Sequence, residues 1–220
     1  MTIFSLKINS SNCCQTKTRL CLRLLLISFG LLGSCTSLVR PNFTQELVEL
    51  KPGQYQLDEM HSFLNFRVDH LGLSKIIGRF NDFQATLDFD PENPTAMKMT
   101  GVVTANSLDL NNPDFESTLQ EADWLDSERF PQIVFTSDSV TLTAANQFDV
   151  NGTLSMRGVS KPITLKATFN GGADNIITRQ YTIGFQASTD ILRSEFGMDT
   201  FTAFAGDEIE IELHGEFLRQ

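Results

Sequence analysis

The feature that most constrains this chain is a period-two alternation of apolar and polar residues, repeated from Gly53 to the C-terminus. In the last segment Ile209, Ile211, Leu213 and Phe217 alternate with Glu208, Glu210, Glu212, His214 and Glu216. Successive side chains of a strand point to opposite faces, so one face of this segment is apolar and the other nearly all carboxylate. The same pattern places Leu64, Phe66 and Val68 on one face, as it does Phe83, Ala85, Leu87 and Phe89. It recurs in Met97, Met99, Val103 and Ala105, in Phe148, Val150, Leu154 and Met156, and in Ile163, Leu165, Ala167 and Phe169. Tyr181, Ile183, Phe185 and Ala187 form a further such face. With short runs near Gln54–Leu57 and Ile133–Thr143, the pattern predicts eight or nine antiparallel strands.

Turn chemistry separates the runs, at Asp90-Pro91-Glu92-Asn93-Pro94, Gly158–Pro162, Gly171-Gly172 and Gly206-Asp207. Strands with one apolar face must pack on a second sheet or close on themselves. One segment departs from the pattern. Asn112 is placed to cap a helix with Pro113 in its first turn, and a helical stretch is expected through Trp124 to about Glu128.

Charge divides the chain in two. Residues 1–40 carry Lys7, Lys17, Arg19, Arg23 and Arg40 with no acidic residue, a net of +5. The remainder holds twelve basic and all 27 acidic residues, a net of −15. A body so acidic repels phosphate backbones, which argues against nucleic acid as a partner. Cys13, Cys14, Cys21 and Cys35 all precede the body, so it can form no disulfide, thiolate metal site or thiol nucleophile.

The N-terminal segment has the order of a secretory signal: Lys17, Arg19 and Arg23, then the nine-residue run Leu24–Leu32, then Gly33 and Ser34. That run is too short to span a hydrocarbon core, which takes roughly 20 helical residues. Leu32-Gly33-Ser34-Cys35 resembles a bacterial lipobox, in which the cysteine is lipidated and becomes the first mature residue. The resemblance implies a signal over residues 1–34, a lipidated Cys35 as membrane anchor, a tether over 35–52 and a barrel domain over 53–220. Thr36 after the cysteine leans, by the same resemblance, toward export and outer-membrane sorting.

Several body motifs resemble the YceI-like domain family. They are His61-Ser62, His70-Leu71-Gly72-Leu73-Ser74, Gly78-Arg79-Phe80-Asn81-Asp82-Phe83, Phe130–Ser137, Gly152–Pro162, Phe196-Gly197 and Gly206-Asp207-Glu208, in that order. The resemblance implies an all-β fold, an extended lipocalin-like, antiparallel up-and-down barrel of about eight strands with a short helical insertion. It also implies a polyisoprenoid or other long-chain lipid as ligand, a homodimer and no catalytic machinery. Where many members carry an Arg-Asp…His-Leu motif, this chain has Pro113-Asp114-Phe115-Glu116-Ser117-Thr118-Leu119, so that headgroup contact does not transfer.

Alternation alone favours a filled core, since any barrel shows it, and the resemblance turns the reading toward a ligand cavity. Together with the resemblance it names Phe66, Val68, Phe83, Leu87, Phe135, Leu154, Phe185 and Leu213 as the expected lining. The alternative is a surface-displayed barrel with a filled core and no ligand.

An enzyme finds little support. His61, His70 and His214 are the only imidazoles, and no Gly-x-Ser-x-Gly or His-Glu-x-x-His motif is present. His214 lies on a carboxylate face, and His61 and Ser62 are expected on opposite faces. No catalytic residue, cofactor or metal ligand is expected.

Overall fold

The computed structural model describes residues 43–176 and 178–220. The signal segment, Cys35 and the tether up to residue 42 lie outside the described residues. Every described element belongs to one compact unit, Asn42–Gln220.

Eleven strands are present among the described residues. They are β1 Gly53–Leu57, β2 Phe63–His70, β3 Ser74–Phe80, β4 Phe83–Phe89, β5 Lys98–Thr104 and β6 Leu108–Asp109. β7 Gln132–Ala144, β8 Gln147–Met156, β9 Val159–Asp174, β10 Tyr181–Leu192 and β11 Ala205–Arg219 follow. Eight of them close an antiparallel ring in the order β1-β4-β5-β7-β8-β9-β10-β11, shut where Leu57 of β1 faces Phe217 of β11. This is the expected barrel of about eight strands.

Two of the added strands, β3 and β6, were not legible. β3 contains Ile76-Ile77-Gly78, which breaks the alternation, and β6 has two residues. β2 pairs with β11 over Ala205–His214, β3 pairs with β2, and β6 with β3. Every strand finds its partners within residues 42–220, so this unit contains what it needs to fold on its own.

The helical insertion is α1, Pro113–Leu119. The Asn112 side chain accepts from the Phe115 N–H, and Glu116 reaches back to accept from the Leu110 and Asn112 N–H groups. These bonds satisfy orphan donors at the helix start. The helix stops at Leu119, and turns carry the chain on past Trp124.

The β1 end of the barrel is solid. Tyr55, Phe89, Phe148, Phe169, Ile183 and Val150 are fully buried there. The Phe185 ring sits 5.3 Å from Phe169 and 6.1 Å from Phe217, the latter pair edge to face. Residues 43–52, read from sequence as part of the tether, cover this plugged end. Thr44 pairs with Gly172, a single 3-10 turn spans Leu47–Glu49, and Leu50 is buried in the core.

The opposite end carries the β2–β3 hairpin and the start of β11. There the β11 ladder is irregular between Ala205 and Ile209. A bulge strands backbone carbonyls, and one side chain collects them. Arg193, 3% exposed, donates from Nε to Gly206 O at 2.9 Å, from Nη1 to Met198 O at 2.6 Å and from Nη2 to Ala205 O at 2.7 Å. Burial pulls its pKa down, and Asp207 and Asp199 oppose that pull. Asp207 spends its carboxylate on the Ser194 N–H and hydroxyl, at 2.9 and 2.7 Å.

Lysine offers a point charge in place of a planar fork and cannot reach three diverging carbonyls. Arg193→Lys is therefore expected to lower the urea-unfolding free energy by about 3 kcal/mol, since charged hydrogen bonds contribute roughly 1.5–3 kcal/mol each. A loss under about 1 kcal/mol would mean that the staple contributes little.

Candidate functional site

Between the plug and the hairpin end the lumen widens into a cavity of about 230 Å³. Small inward residues at mid-height of the strands contribute the space. β4 runs Phe83, Ala85, Leu87, Phe89, with Phe83 and Ala85 at the cavity and Phe89 in the plug. β10 runs Tyr181, Ile183, Phe185, Ala187, Thr189, Ile191, so the small pair Ala187 and Thr189 falls between the plug and the hairpin end. Gly101 of β5 and Ala205 of β11 add to the space.

Six of the eight expected lining residues reach this cavity: Phe66, Val68, Phe83, Phe135, Leu154 and Leu213. Leu87 and Phe185 do not. They are buried in the plug, because alternation fixes the face a residue occupies but not its height along the barrel. The lining residues missed from sequence lie mostly on strands, and four of them lie on the insertion: Phe115, Leu119, Trp124 and Leu125. A signal for them existed, since Phe115 and Leu119 are four apart and share a helix face.

Phe66 and Phe135 line the cavity without filling it, because each ring is seated over a glycine. Phe66 pairs with Gly78 across β2 and β3, and a Cβ on Gly78 would meet the Phe66 ring at 2.4 Å. A Cβ on Gly152 would meet the Phe135 ring at 2.5 Å. Both rings thus lie along the wall instead of across the lumen.

Trp124 is held from two sides. Arg157 donates to the Trp124 and Ala122 carbonyls, the latter at 3.0 Å. The Arg193 guanidinium lies 5.1 Å from the indole ring centre. Among the described residues Arg193 is the one charged residue of the lining, and the cavity wall they form exposes almost no polar surface.

None of the three histidines lines the cavity. His214 is on the outer face, 3.1 Å from Glu212, and His70 is exposed beside the β2–β3 turn. Asp58, His61 and Glu216 can offer three ligand atoms within 4.8 Å of one another, the one such group among the described residues. Glu216 lies between the buried Gly215 and Phe217 on β11, so the group sits on the outer wall. Ordinary bonding accounts for it: Asp58 accepts from the Met60 N–H as a cap and pairs with His61 Nδ1 at 2.8 Å.

The YceI-like domain model matches residues 55–217. The chain belongs to the YceI-like family. Protein YceI of Salmonella arizonae is 36% identical over 169 residues, spanning 76% of this chain and 87% of that protein. BcnA of Burkholderia cenocepacia superposes with a TM-score of 0.67 at 23% identity, over 73% of this chain and 98% of that one. A polyisoprenoid binding domain from Saccharophagus degradans gives 0.58 at 15% identity, over 77% and 100%. At those identities the two structures establish the shared fold. The eight-stranded closure and short helix of this YceI-like barrel agree with them.

Gly78→Ala tests the ring seat. A strand glycine is ordinarily a weak point that alanine improves. Here alanine is expected to destabilise the barrel by about 1–3 kcal/mol in urea, the usual cost of overpacking. A neutral or stabilising result would mean that the ring has somewhere else to go.

The outer-wall pair sets a pH signature. Hydrogen bonding to the Asp58 carboxylate raises the His61 pKa above 6.5, and the same bond lowers Asp58 below 3.8. The pair's contribution to stability is full between those values. It is lost as pH falls through the depressed Asp58 value or rises through the raised His61 value. An NMR titration should place the His61 midpoint above 6.5 and return it toward 6.5 in Asp58→Asn. An unmoved midpoint would exclude Asp58 as the cause.

Proposed function

We propose that this protein is a non-catalytic carrier that encloses the hydrocarbon chain of a long-chain isoprenoid or similar amphiphilic lipid. It is exported and anchored at the membrane through lipidated Cys35. The observation that carries the reading is the half-filled barrel, an aromatic plug at one end and an apolar lumen of about 230 Å³ beyond it. By the roughly 24 cal/mol per Å³ that a protein loses to an unfilled apolar void, such a space costs on the order of 5 kcal/mol. A wholly filled display barrel would have no such cost, so the lumen favours carriage over display.

Hydrocarbon burial supplies an adequate driving force. At about 0.8 kcal/mol per CH₂-sized unit, each five-carbon isoprene gains roughly 4 kcal/mol before the cost of ordering it. No ionic anchor is needed, in keeping with a lining that exposes almost no polar surface. The headgroup is therefore left outside the lumen. Chemistry on a bound lipid would need an acid or base beside it, and Arg193, its donors spent on carbonyls, is the one charged lining residue among the described residues. The polyisoprenoid binding domain of Saccharophagus degradans shares this fold, which adds to the case for an isoprenoid.

One experiment tests both halves. Full-length wild type and Cys35→Ala are expressed in a bacterial host and fractionated, and each protein is extracted with organic solvent for mass spectrometry. Wild type is expected in the membrane fraction with a reproducible prenyl or acyl species. Cys35→Ala should lose the covalent diacyl modification and still yield the extracted species. An empty extract from folded protein would end the carrier reading, and an unmodified wild-type Cys35 would end the anchor.

A further inference from the structure

The hairpin end presents large apolar side chains to solvent at the tips of two adjoining turns. Leu71 and Leu73, on the β2–β3 turn, are 51% and 84% exposed, and Phe201 and Phe204, in the segment before β11, are 63% and 60% exposed. The turns form one unit. The Leu71 N–H donates to Phe204 O at 3.0 Å, and the Phe201 and Phe204 rings meet at 6.4 Å. This tip adjoins the lumen, because Ala205 pairs with His70, and Ala205, Val68 and Ile76 line the cavity.

We infer that this apolar tip is a membrane contact, inserting Leu71, Leu73, Phe201 and Phe204 into the interface of a zwitterionic lipid surface so that the cavity end faces the lipid it takes up. The inference rests on the carrier reading for its purpose and on the tip for its location. Three observations favour a bilayer over a protein partner. The exposed area is on the order of 500 Å², short of the ~800 Å² per partner of a standard interface. The four side chains project from two adjoining turns, a pair on each, as wedges that enter a headgroup layer. They adjoin the lumen through Ala205, which follows Phe204 in the chain and lines the cavity.

Charge selects the kind of surface. The flanking residues include Asp69, which accepts from the Gly72 N–H at 2.7 Å, and Asp199, while Lys75 is paired with Glu210. The basic cluster that would draw the tip to anionic lipid is missing among these residues.

The test uses residues 42–220, free of any Cys35 anchor, and sucrose-loaded phosphatidylcholine vesicles in a sedimentation assay. Wild type is expected to sediment with the vesicles, and Leu73→Asp/Phe204→Asp to bind at least tenfold more weakly. In parallel, Trp124, the only tryptophan and part of the cavity wall, reports occupancy during a geranylgeraniol titration. That response should be the same in both proteins, since neither substituted side chain lines the cavity. Wild type that fails to sediment, or a variant that sediments equally, overturns the inference. So does binding that requires phosphatidylglycerol and is lost in salt, or an apolar tip that proves to mediate self-association instead. Tip-dependent sedimentation with a silent Trp124 would keep the membrane contact and overturn the carrier reading, so the two failures are distinguishable.

Discussion

The architecture depends on β11 serving two neighbours along one edge. Over Phe217–Arg219 that edge pairs with β1, and over Ala205–His214 it pairs with β2. β1 then continues to β4 and completes the ring, whereas β2 leads out through β3 to β6, which pairs with nothing further among the described residues. One end is thus sealed by a continuous ladder of backbone hydrogen bonds. At the other, β4 begins only at Phe83 and β5 stops at Thr104, leaving wall to be completed by something other than sheet. The insertion that follows β6 supplies it with Phe115, Leu119, Trp124 and Leu125.

This explains why one chain can be both a solid core and a container. At the sealed end the strands converge on Tyr55, Phe89, Phe148 and Phe169, and aromatic packing provides the rigidity. Beyond the plug the inward positions include Ala85, Gly101, Ala187 and Ala205, and Gly78 and Gly152 let two phenyl rings lie flat. The lumen is kept open by small residues whose individual contribution to packing is slight.

Much of this was legible in sequence, and the parts that were not share a cause. The inward faces of β4, β8, β9, β10 and β11 follow from period two, a local property of the backbone. Asn112 and Pro113 marked the start of α1 for the same reason. Height along the barrel is not local, since it depends on the register of every pairing. Alternation therefore points Phe185 into the lumen, although it packs between Phe169 and Phe217. Bulges hide information in a similar way. The register shift between Ser137 and Ser139 moves the buried set of β7 from Phe135 to Val140, switching parity within one strand.

Arg193 sets the limit on what the proposed carrier can recognise. A buried guanidinium in a pocket wall ordinarily suggests an anionic ligand. Here its three donor nitrogens each serve a carbonyl, its face is covered by Trp124, and the lumen is left with almost no polar surface. Hydrogen-bonding sites can reject a wrong partner by factors of about 10⁴ or more, whereas a hydrocarbon wall discriminates by roughly 1–3 kcal/mol per misplaced methylene. The lumen of such a carrier therefore reads chain thickness and branching and is indifferent to headgroup chemistry. Selection by headgroup would have to occur at the hairpin end, outside the barrel, where the apolar tip and its acidic neighbours meet the surroundings.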